Sequence, residues 1–563
     1  MTWVHDFLVK YPELALFLTI GLGYWVGGFR FGHFKLGPVT GSLFAGLAIG
    51  QLAEVPVSGM AKSFLFLLFL FGIGYSVGPQ FMQALKRDGL KPVALGVVCA
   101  ATGLATAVTL AKLLGLDAGF AAGLLSGALT ESPAMGTAIE AIGALPISEA
   151  ERARLIAHVP VADAVTYVFG AAGCIWFLST LAPKLLGIDL VEEARKLEAE
   201  LGIDRAKPGV VSAWRPIELR AFRVPEGGRT VGLTIAAAEA LLPEYRMFVQ
   251  RVRRDGVILD AAPDLVLQAG DIVAVSGRRE TLVDVLGGMA QEVEDRELLD
   301  IPVLVAEVMV TNKDLAGRTL AEAAGQEWTR SLFLRGVTRG GQALPIGPGL
   351  VLRRGDLATV SGPEHVVARA AKGIGPVVAP TDETDFVALC LAIFLGGLAG
   401  VLIAFPVGGM TISLSTSVGT LLAGLVVGHT RTRLPLFARI PDGAVNLMTA
   451  LGLAAFVAMT GLHAGPVFFS ALAEAGIGLF FAGIVVTMAP LVVGLYFGRH
   501  VLRMNPILLL GGLAGAQTMT AAMAAVQERS HSPVAVLGYT PVVPIAHILL
   551  TSWGSVIVGI MAA

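Results

Sequence analysis

Two short polar stretches interrupt apolar segments near opposite ends of this chain, and they constrain its fold more than any other feature. The first reads G-A-L-T-E-S-P-A-M-G-T at 127–137, inside a segment that is otherwise apolar from about residue 120. Thr130, Glu131 and Ser132 are consecutive polar residues, and Pro133 cannot donate to a helix ladder. Such a break is costly at membrane depth unless it faces protein or a water-filled cavity. The second stretch reads G-A-Q-T-M-T-A-A-M at 515–523. Aligning Gly127 with Gly515 also pairs Ala128 with Ala516, Thr130 with Thr518, Ser132 with Thr520 and Met135 with Met523. An interrupted polar element in corresponding places of two halves points to a transport site.

The setting is a membrane one. The chain is 55% hydrophobic and 15% charged, where a soluble globular protein carries roughly 25% charged residues. A net charge of −2 argues against a nucleic-acid partner. Cys99, Cys174 and Cys390 all fall in apolar segments and read as buried small hydrophobes. No metal-ligand spacing is visible, and no cofactor is expected. Asp6 and Glu13 flank the only early lysine, so the N-terminus does not read as a cleavable signal.

Charge divides the chain into an apolar part at 1–185, a charged part that reads as soluble, and a second apolar part at 385–563. Apolar segments fall at about 13–29, 36–52, 61–78, 92–115, 118–141 and 157–182, then at about 385–404, 411–428, 444–463, 470–497, 506–526 and 534–561. Each is near the roughly 20 residues that span a bilayer. L-G-P-V-T-G-S-L-F-A-G-L-A-I-G at 36–50 matches L-S-T-S-V-G-T-L-L-A-G-L-V-V-G at 414–428. G-Y-S-V-G-P-Q-F at 74–81 matches G-L-H-A-G-P-V-F at 461–468. These matches keep the order of the polar stretches, so the membrane part is an internal duplication.

If 118–141 and 506–526 each re-enter or break rather than cross, the loop charges obey the positive-inside rule. Arg30, Lys35, Lys86, Arg87, Lys91, Arg431, Arg433, Arg439, Arg499, Arg503 and Arg529 then share the cytoplasmic side. The fold expected is a polytopic α-helical membrane protein of two inverted repeats. Each has about five crossings plus one re-entrant or broken helix. A broken helix that does cross is the competing arrangement.

Between the halves lie a charged connecting helix at 186–211, two small α/β domains at 212–290 and 291–374, and a linker at 375–384. The copies are offset by 85 residues, as in A-G-D-I-V-A-V-S-G at 269–277 and R-G-D-L-A-T-V-S-G at 354–362. Neither carries G-x-G-x-x-G. Arg251, Arg253 and Arg254 read as solvated charge rather than a phosphate site.

Taken together in this order, G-Y-S-V-G-P-Q-F, A-L-T-E-S-P-A-M-G-T-A, A-G-A-Q-T-M-T-A-A-M and the two central domains resemble the aspartate:alanine exchanger family. The central pair resembles the C-terminal domain of potassium-conductance regulators. The resemblance covers essentially the whole chain. It implies electrogenic exchange of small carboxylate substrates, amino acids such as aspartate and alanine or dicarboxylates, by a homodimer in the bacterial inner membrane. It does not imply that this member carries aspartate. A small cytoplasmic ligand could bind the central domains, and a purely structural or dimerising module is the equal alternative.

Thr130, Ser132, Thr518 and Thr520 offer hydroxyls at the breaks, and Gln517 offers an amide. Exposed helix ends would attract a carboxylate where no Lys or Arg lies in mid-segment. Glu131 could couple to a proton or cation, read a substrate amine, or face a cavity; its counterpart Met519 is not ionisable. Asp163 and His547 are ionisable residues in apolar segments and candidate pathway groups, with Asp163 at an interface as the alternative. Gly74, Gly78, Gly461 and Gly465 read as packing positions. No nucleophile–base spacing or phosphate loop suggests an enzyme. The rivals to an elevator-like antiporter are a cation/proton antiporter carried by Glu131 and Asp163, and a ligand-gated channel.

Overall fold

The computed structural model describes residues 2–31, 34–35, 37–84, 90–203, 217–242, 245–339, 342–378, 383–407, 410–413, 415–431 and 438–563. Lys86, Arg87 and Arg433, used above for topology, lie outside the described residues, as do the side chains of Arg30 and Lys35. The chain divides into two compact units. One holds 1–197, 339–344 and 380–563; the other holds 198–338 and 345–379.

The first unit is helical. Its first half contains α1 (Thr2–Lys10), α2 (Pro12–Gly27), α3 (Pro38–Leu52), α4 (Gly59–Ala84), α5 (Leu90–Leu114), α6 (Ala118–Ala128), α7 (Pro133–Gly143) and α8 (Glu149–Trp176). Its second half contains α9 (Phe386–Leu402), α10 (Thr416–Thr430), α11 (Asp442–Ala464), α12 (Phe468–Tyr496), α13 (Pro506–Ala516), α14 (Thr520–Ser530), α15 (Val536–Tyr539) and α16 (Val543–Ala562). Short polar side chains start many of them, as expected of N-caps. Asp117 accepts from Phe120 N, Ser148 from Glu151 N, Asp385 from Ala388 N and Asn505 from Ile507 N.

By length and composition, five continuous helical stretches of the described residues, or six if the bent α1–α2 pair counts as one span, could cross a membrane, and one of them, Asp442–Val501, is the 60-residue run that holds both α11 and α12. The apolar helices α3, α6, α9, α10 and α13 are shorter, at 10–17 residues each. α3 and α10 have 15 residues each, about 22 Å of helix against a core of about 30 Å. Both follow a two-stranded antiparallel hairpin, Arg30–Phe31 with Phe34–Lys35 and Ala404–Val407 with Met410–Ser413. Both start after a residue of positive φ, Gly37 at 87° and Ser415 at 71°. Their mid-portions are buried in protein, so lipid does not set their length. Cys99 and Cys174 are buried, but Cys390 is exposed on α9, contrary to the sequence reading.

The halves interlock through small residues. α3 packs on α11, and α4 packs on α10. A Cβ on Gly46 would lie 2.6 Å from the Ala458 carbonyl oxygen, and one on Gly424 would lie 2.4 Å from the Phe71 carbonyl oxygen. Gly46 and Gly424 correspond in the two repeats, and so do the helices they touch. The seam is therefore the same contact made twice, once in each direction. With α2 and α9 these helices form one group. The second group is α5–α8 with α12–α16, where α6 packs on α8, α16 on α7 and α12 on both α5 and α8.

The second unit contains two related antiparallel sheets. The first has strand order Val257–Asp260, Phe248–Arg254, Ile272–Arg278, Ile217–Arg223, Gln291–Val293. In the second, Leu357–Pro363 pairs with Val303–Met309 and with Phe333–Arg339. The 85-residue offset survives in detail. Register shifts at Gln250 and at Arg335, and these side chains donate to Ser276 Oγ at 2.6 Å and Ser361 Oγ at 2.9 Å. The Arg330 guanidinium joins the copies through a two-pronged contact with Glu239. Arg253 pairs with Asp295 and Glu297, Arg254 pairs with Asp271, and Arg251 donates to the Asp300 carbonyl. These arginines are engaged in ion pairs and hydrogen bonds, not simply solvated as the sequence suggested.

Overpacking a tight contact costs about 1–3 kcal/mol or more. Gly46→Val and Gly424→Val are therefore each expected to lower the thermal midpoint of the detergent-solubilised protein. Gly21→Ala, whose Cβ would have no neighbour within 4 Å, is expected to leave it nearly unchanged.

Candidate functional site

Both polar stretches break a helix, and they break it in the same way. α6 stops at Ala128 and α7 begins at Pro133; α13 stops at Ala516 and α14 begins at Thr520. Thr130 and Thr518 both turn the chain through left-handed backbone, at φ of 55° and 51°. That conformation is uncommon for a β-branched residue and clusters at functional sites. Thr130 N bonds to Gly127 O and Glu131 N to Ser126 O; Thr518 N bonds to Gly515 O and Met519 N to Ala514 O. The repeat aligned by sequence is thus a repeat of backbone hydrogen bonds.

The two breaks meet. Thr130 Oγ1 donates to the Gln517 carbonyl at 2.9 Å. It is the main chain of Gln517 that is engaged here, rather than the amide singled out from the sequence. Thr487 Oγ1 on α12 donates to the Ala128 carbonyl at the end of α6, at 2.9 Å.

Glu131 is 1% exposed. Its Oε2 accepts from Thr518 Oγ1 at 2.8 Å, and its Oε1 accepts from Thr551 Oγ1 at 3.0 Å. His547 Nδ1 lies 3.3 Å from the same Oε1. A first-half carboxylate is therefore held by second-half groups. Asp163 is not part of this set. It lies buried in mid-α8, which starts at Glu149 rather than near residue 157, and Ser126 Oγ donates to it at 2.6 Å behind α6.

The two helix starts differ, and Pro133 is the reason. At α7, Pro133 has no N–H, while Ala134 N and Met135 N bond back to Glu131 O and Ser132 O at 2.9 and 3.1 Å. The Ser132 hydroxyl caps nothing, and Ser132 is buried. At α14 the residue equivalent to Pro133 is Ala521. The first backbone return bond is Met523 N to Met519 O, and no side chain caps the helix. Thr520 and Ala521 are exposed there. Thr520 Oγ1 lies 3.1 Å from Tyr539 Oη. Helix geometry leaves the first N–H groups without an intrahelical partner, so this end can receive an anion.

Glu140 near the end of α7 accepts from Thr416 N at 2.8 Å, from Ser417 N at 3.3 Å and from the Thr416 hydroxyl. It ties the break-bearing group of helices to the start of α10 in the other group. Sequence reading missed Glu140, Thr487, Thr551 and Tyr539. Glu140 lies past the motif, Thr487 sits singly in an apolar run, and Tyr539 and Thr551 stand beside one further hydroxyl residue each with no motif to mark them.

The membrane part matches, at residues 15–183 and 388–559, the Asp-Al exchanger-type family described as a predicted permease membrane region. The chain belongs to this exchanger-type permease family. Residues 219–286, in the first central copy, match the TrkA-C domain. An uncharacterized transporter of Bradyrhizobium diazoefficiens is 60% identical over 516 residues, covering 92% of this chain and 100% of that protein. Uncharacterized transporters of Bordetella bronchiseptica and Shewanella oneidensis are 40% and 38% identical, each over 565 residues. Those alignments cover 99% and 100% of this chain and 98% and 100% of the relatives. The family is one of multi-pass membrane transporters, and its two membrane segments flank the regulator-type domain as the duplicated halves do here.

Thr487→Val removes the hydroxyl that satisfies the Ala128 carbonyl without changing side-chain size. Leaving a buried acceptor unpaired costs about 1–3 kcal/mol. The expected result is a lower unfolding midpoint with unchanged helix content by circular dichroism.

Proposed function

We propose that this exchanger-family permease is a secondary antiporter for carboxylate-bearing substrates, amino acids such as aspartate and alanine or dicarboxylates. The observation that carries the reading is the open start of α14 beside the buried Glu131. Free N–H groups and the positive end of the helix dipole would hold a substrate carboxylate, with the Thr520 and Tyr539 hydroxyls alongside. Glu131, held by Thr518, Thr551 and His547, marks a chemically different end of the site. An ammonium group or a proton would bind there. Membership of a permease family, and similarity to relatives described as transporters, support the reading at the level of class.

The same reading places the chain in the bacterial inner membrane with the central domains cytoplasmic, as a homodimer. The central domains would answer to a small cytoplasmic ligand. The group α5–α8 with α12–α16 would move against α2–α4 with α9–α11, and the Glu140 tie would have to break for it to do so. One observation favours a second reading, a cation/proton antiporter: the buried Glu131 and the partly exposed His547 form an ionisable pair at 3.3 Å.

Counterflow in proteoliposomes separates the two. Vesicles loaded with unlabelled aspartate, alanine, glutamate or succinate are expected to take up the same labelled compound only when loaded. Proton movement that follows sodium or potassium, with no organic counterflow, would replace this reading with the second. Ala521→Pro copies the first repeat's residue into the second and deletes one N–H at a position where a helix tolerates proline. A hydrogen bond to a charged group contributes about 1.5–3 kcal/mol. A rise in KM of at least about tenfold is therefore expected, with the protein still monodisperse. An unchanged KM would remove the α14 end from the site.

A further inference from the structure

At one end of the helical unit, where the 53–58 connector, the start of α8 and the α11–α12 turn come together, lies a cavity of about 710 Å³. Its walls carry Glu54, Arg154, His158, His463 and Glu474. The breaks do not line it, and neither the transport reading nor the family match uses it. One ligand-type atom from each of Asp117, His158 and Glu474 lies within 4.8 Å of the others.

We propose that His158 and Glu474 bind a divalent transition-metal ion of the zinc class, with Asp117 orienting the imidazole from behind. The argument starts from the ring. His158 is buried and stacks face to face on Phe120, with centroids 3.9 Å apart and planes at 15°. Its Nδ1 lies 2.7 Å from Asp117 Oδ2, and the other oxygen of Asp117 accepts from Phe120 N at the start of α6. A carboxylate that accepts from one ring nitrogen fixes the tautomer and leaves the other nitrogen as a ligand, which is the usual outer-shell arrangement of a zinc-bound histidine. The ring is therefore pinned in place with Nε2 as the available donor.

What Nε2 meets is Glu474 Oε2, at 3.6 Å. That is too long for an N–H···O hydrogen bond. It is close to the separation of two ligand atoms on a tetrahedral ion, about 3.4 Å for bond lengths of about 2.0–2.2 Å. Arg154 does not compete for this oxygen, because its Nη1 bonds to Oε1 at 3.1 Å. Asp117, Glu151 and Glu474 surround the single guanidinium of Arg154, so the cluster keeps an excess of negative charge that a dication would balance. Imidazole with carboxylate suits zinc and its neighbours better than calcium or magnesium. Water, or Glu54 and His463 from the same cavity, would complete the shell. No sequence spacing shows the set, because its members come from the α6 N-cap, α8 and α12.

The test uses the full chain, stripped of metal, in detergent. Titration with Zn²⁺ by calorimetry is expected to show one site per chain. Glu474→Gln, a change at a half-exposed side chain, should weaken binding at least tenfold, and His158→Ala should abolish it. Asp117→Asn should weaken it about 10–100-fold, the usual cost of losing an outer-shell partner. Glu149→Gln, outside the cluster, should change nothing. Loading with Co²⁺ should give the strong visible absorption of a four-coordinate ion. Equal Zn²⁺ affinity in the wild type, Glu474→Gln and Asp117→Asn, or a Co²⁺ spectrum like that of the hydrated ion, would overturn the proposal. Because binding is read directly, failure here leaves the antiporter reading untouched, and failure of counterflow leaves this site untouched.

Discussion

The structure depends on how two interrupted helices satisfy their backbone away from water. An unpaired carbonyl or N–H in an apolar interior costs more than most packing contacts can return. Here the breaks answer for each other. The Thr130 hydroxyl takes the Gln517 carbonyl, the Thr518 hydroxyl takes the Glu131 carboxylate, and Thr487 of α12 takes the Ala128 carbonyl. Each half supplies what the other lacks, so neither break is tenable alone. Where the satisfaction stops, at the first turn of α14, the fold leaves a polar opening in an otherwise apolar unit.

The same reciprocity organises the remaining helices. The close approach of α3 to α11 repeats that of α4 to α10, and the small residues responsible fall at corresponding positions. A duplicated chain that interlocks in this way makes one group of helices from elements of both halves, and a second group around the breaks. Glu140 reaches from one group to the backbone N–H groups that start α10. A carboxylate at a helix start is favourable, so this contact ties the two groups together.

Much of this was legible in the residues. All twelve apolar segments contain helices, the positions of both breaks were marked by consecutive polar residues, and Thr130, Thr518, Glu131 and His547 do come together. Local chemistry carries these signals: hydropathy over a bilayer's length, a proline that cannot donate, and a motif that occurs twice. Contacts between remote residues could not be read along the chain. The Gln517 carbonyl receives the Thr130 hydroxyl from 387 residues away in sequence. Asp163 falls in the middle of α8 because that helix begins at Glu149, with charged first turns that lie outside the apolar run.

By itself the sequence determined that this is a duplicated membrane transporter with a broken element in each half, since those features need only local composition and repetition. Only the tertiary structure decided which break stays open. Pro133 and Ala521 differ visibly in the chain, but the consequence needs the geometry around them. At α7 the remaining N–H groups fold back on Glu131 and Ser132, while at α14 Met519 caps nothing and Tyr539 stands beside Thr520. Likewise, the bond from Thr551 to Glu131, or the approach of Glu474 to His158, arises because helices far apart in the chain pack side by side. Side-chain contacts of that kind are set by how the helices pack, and no window along the sequence contains them.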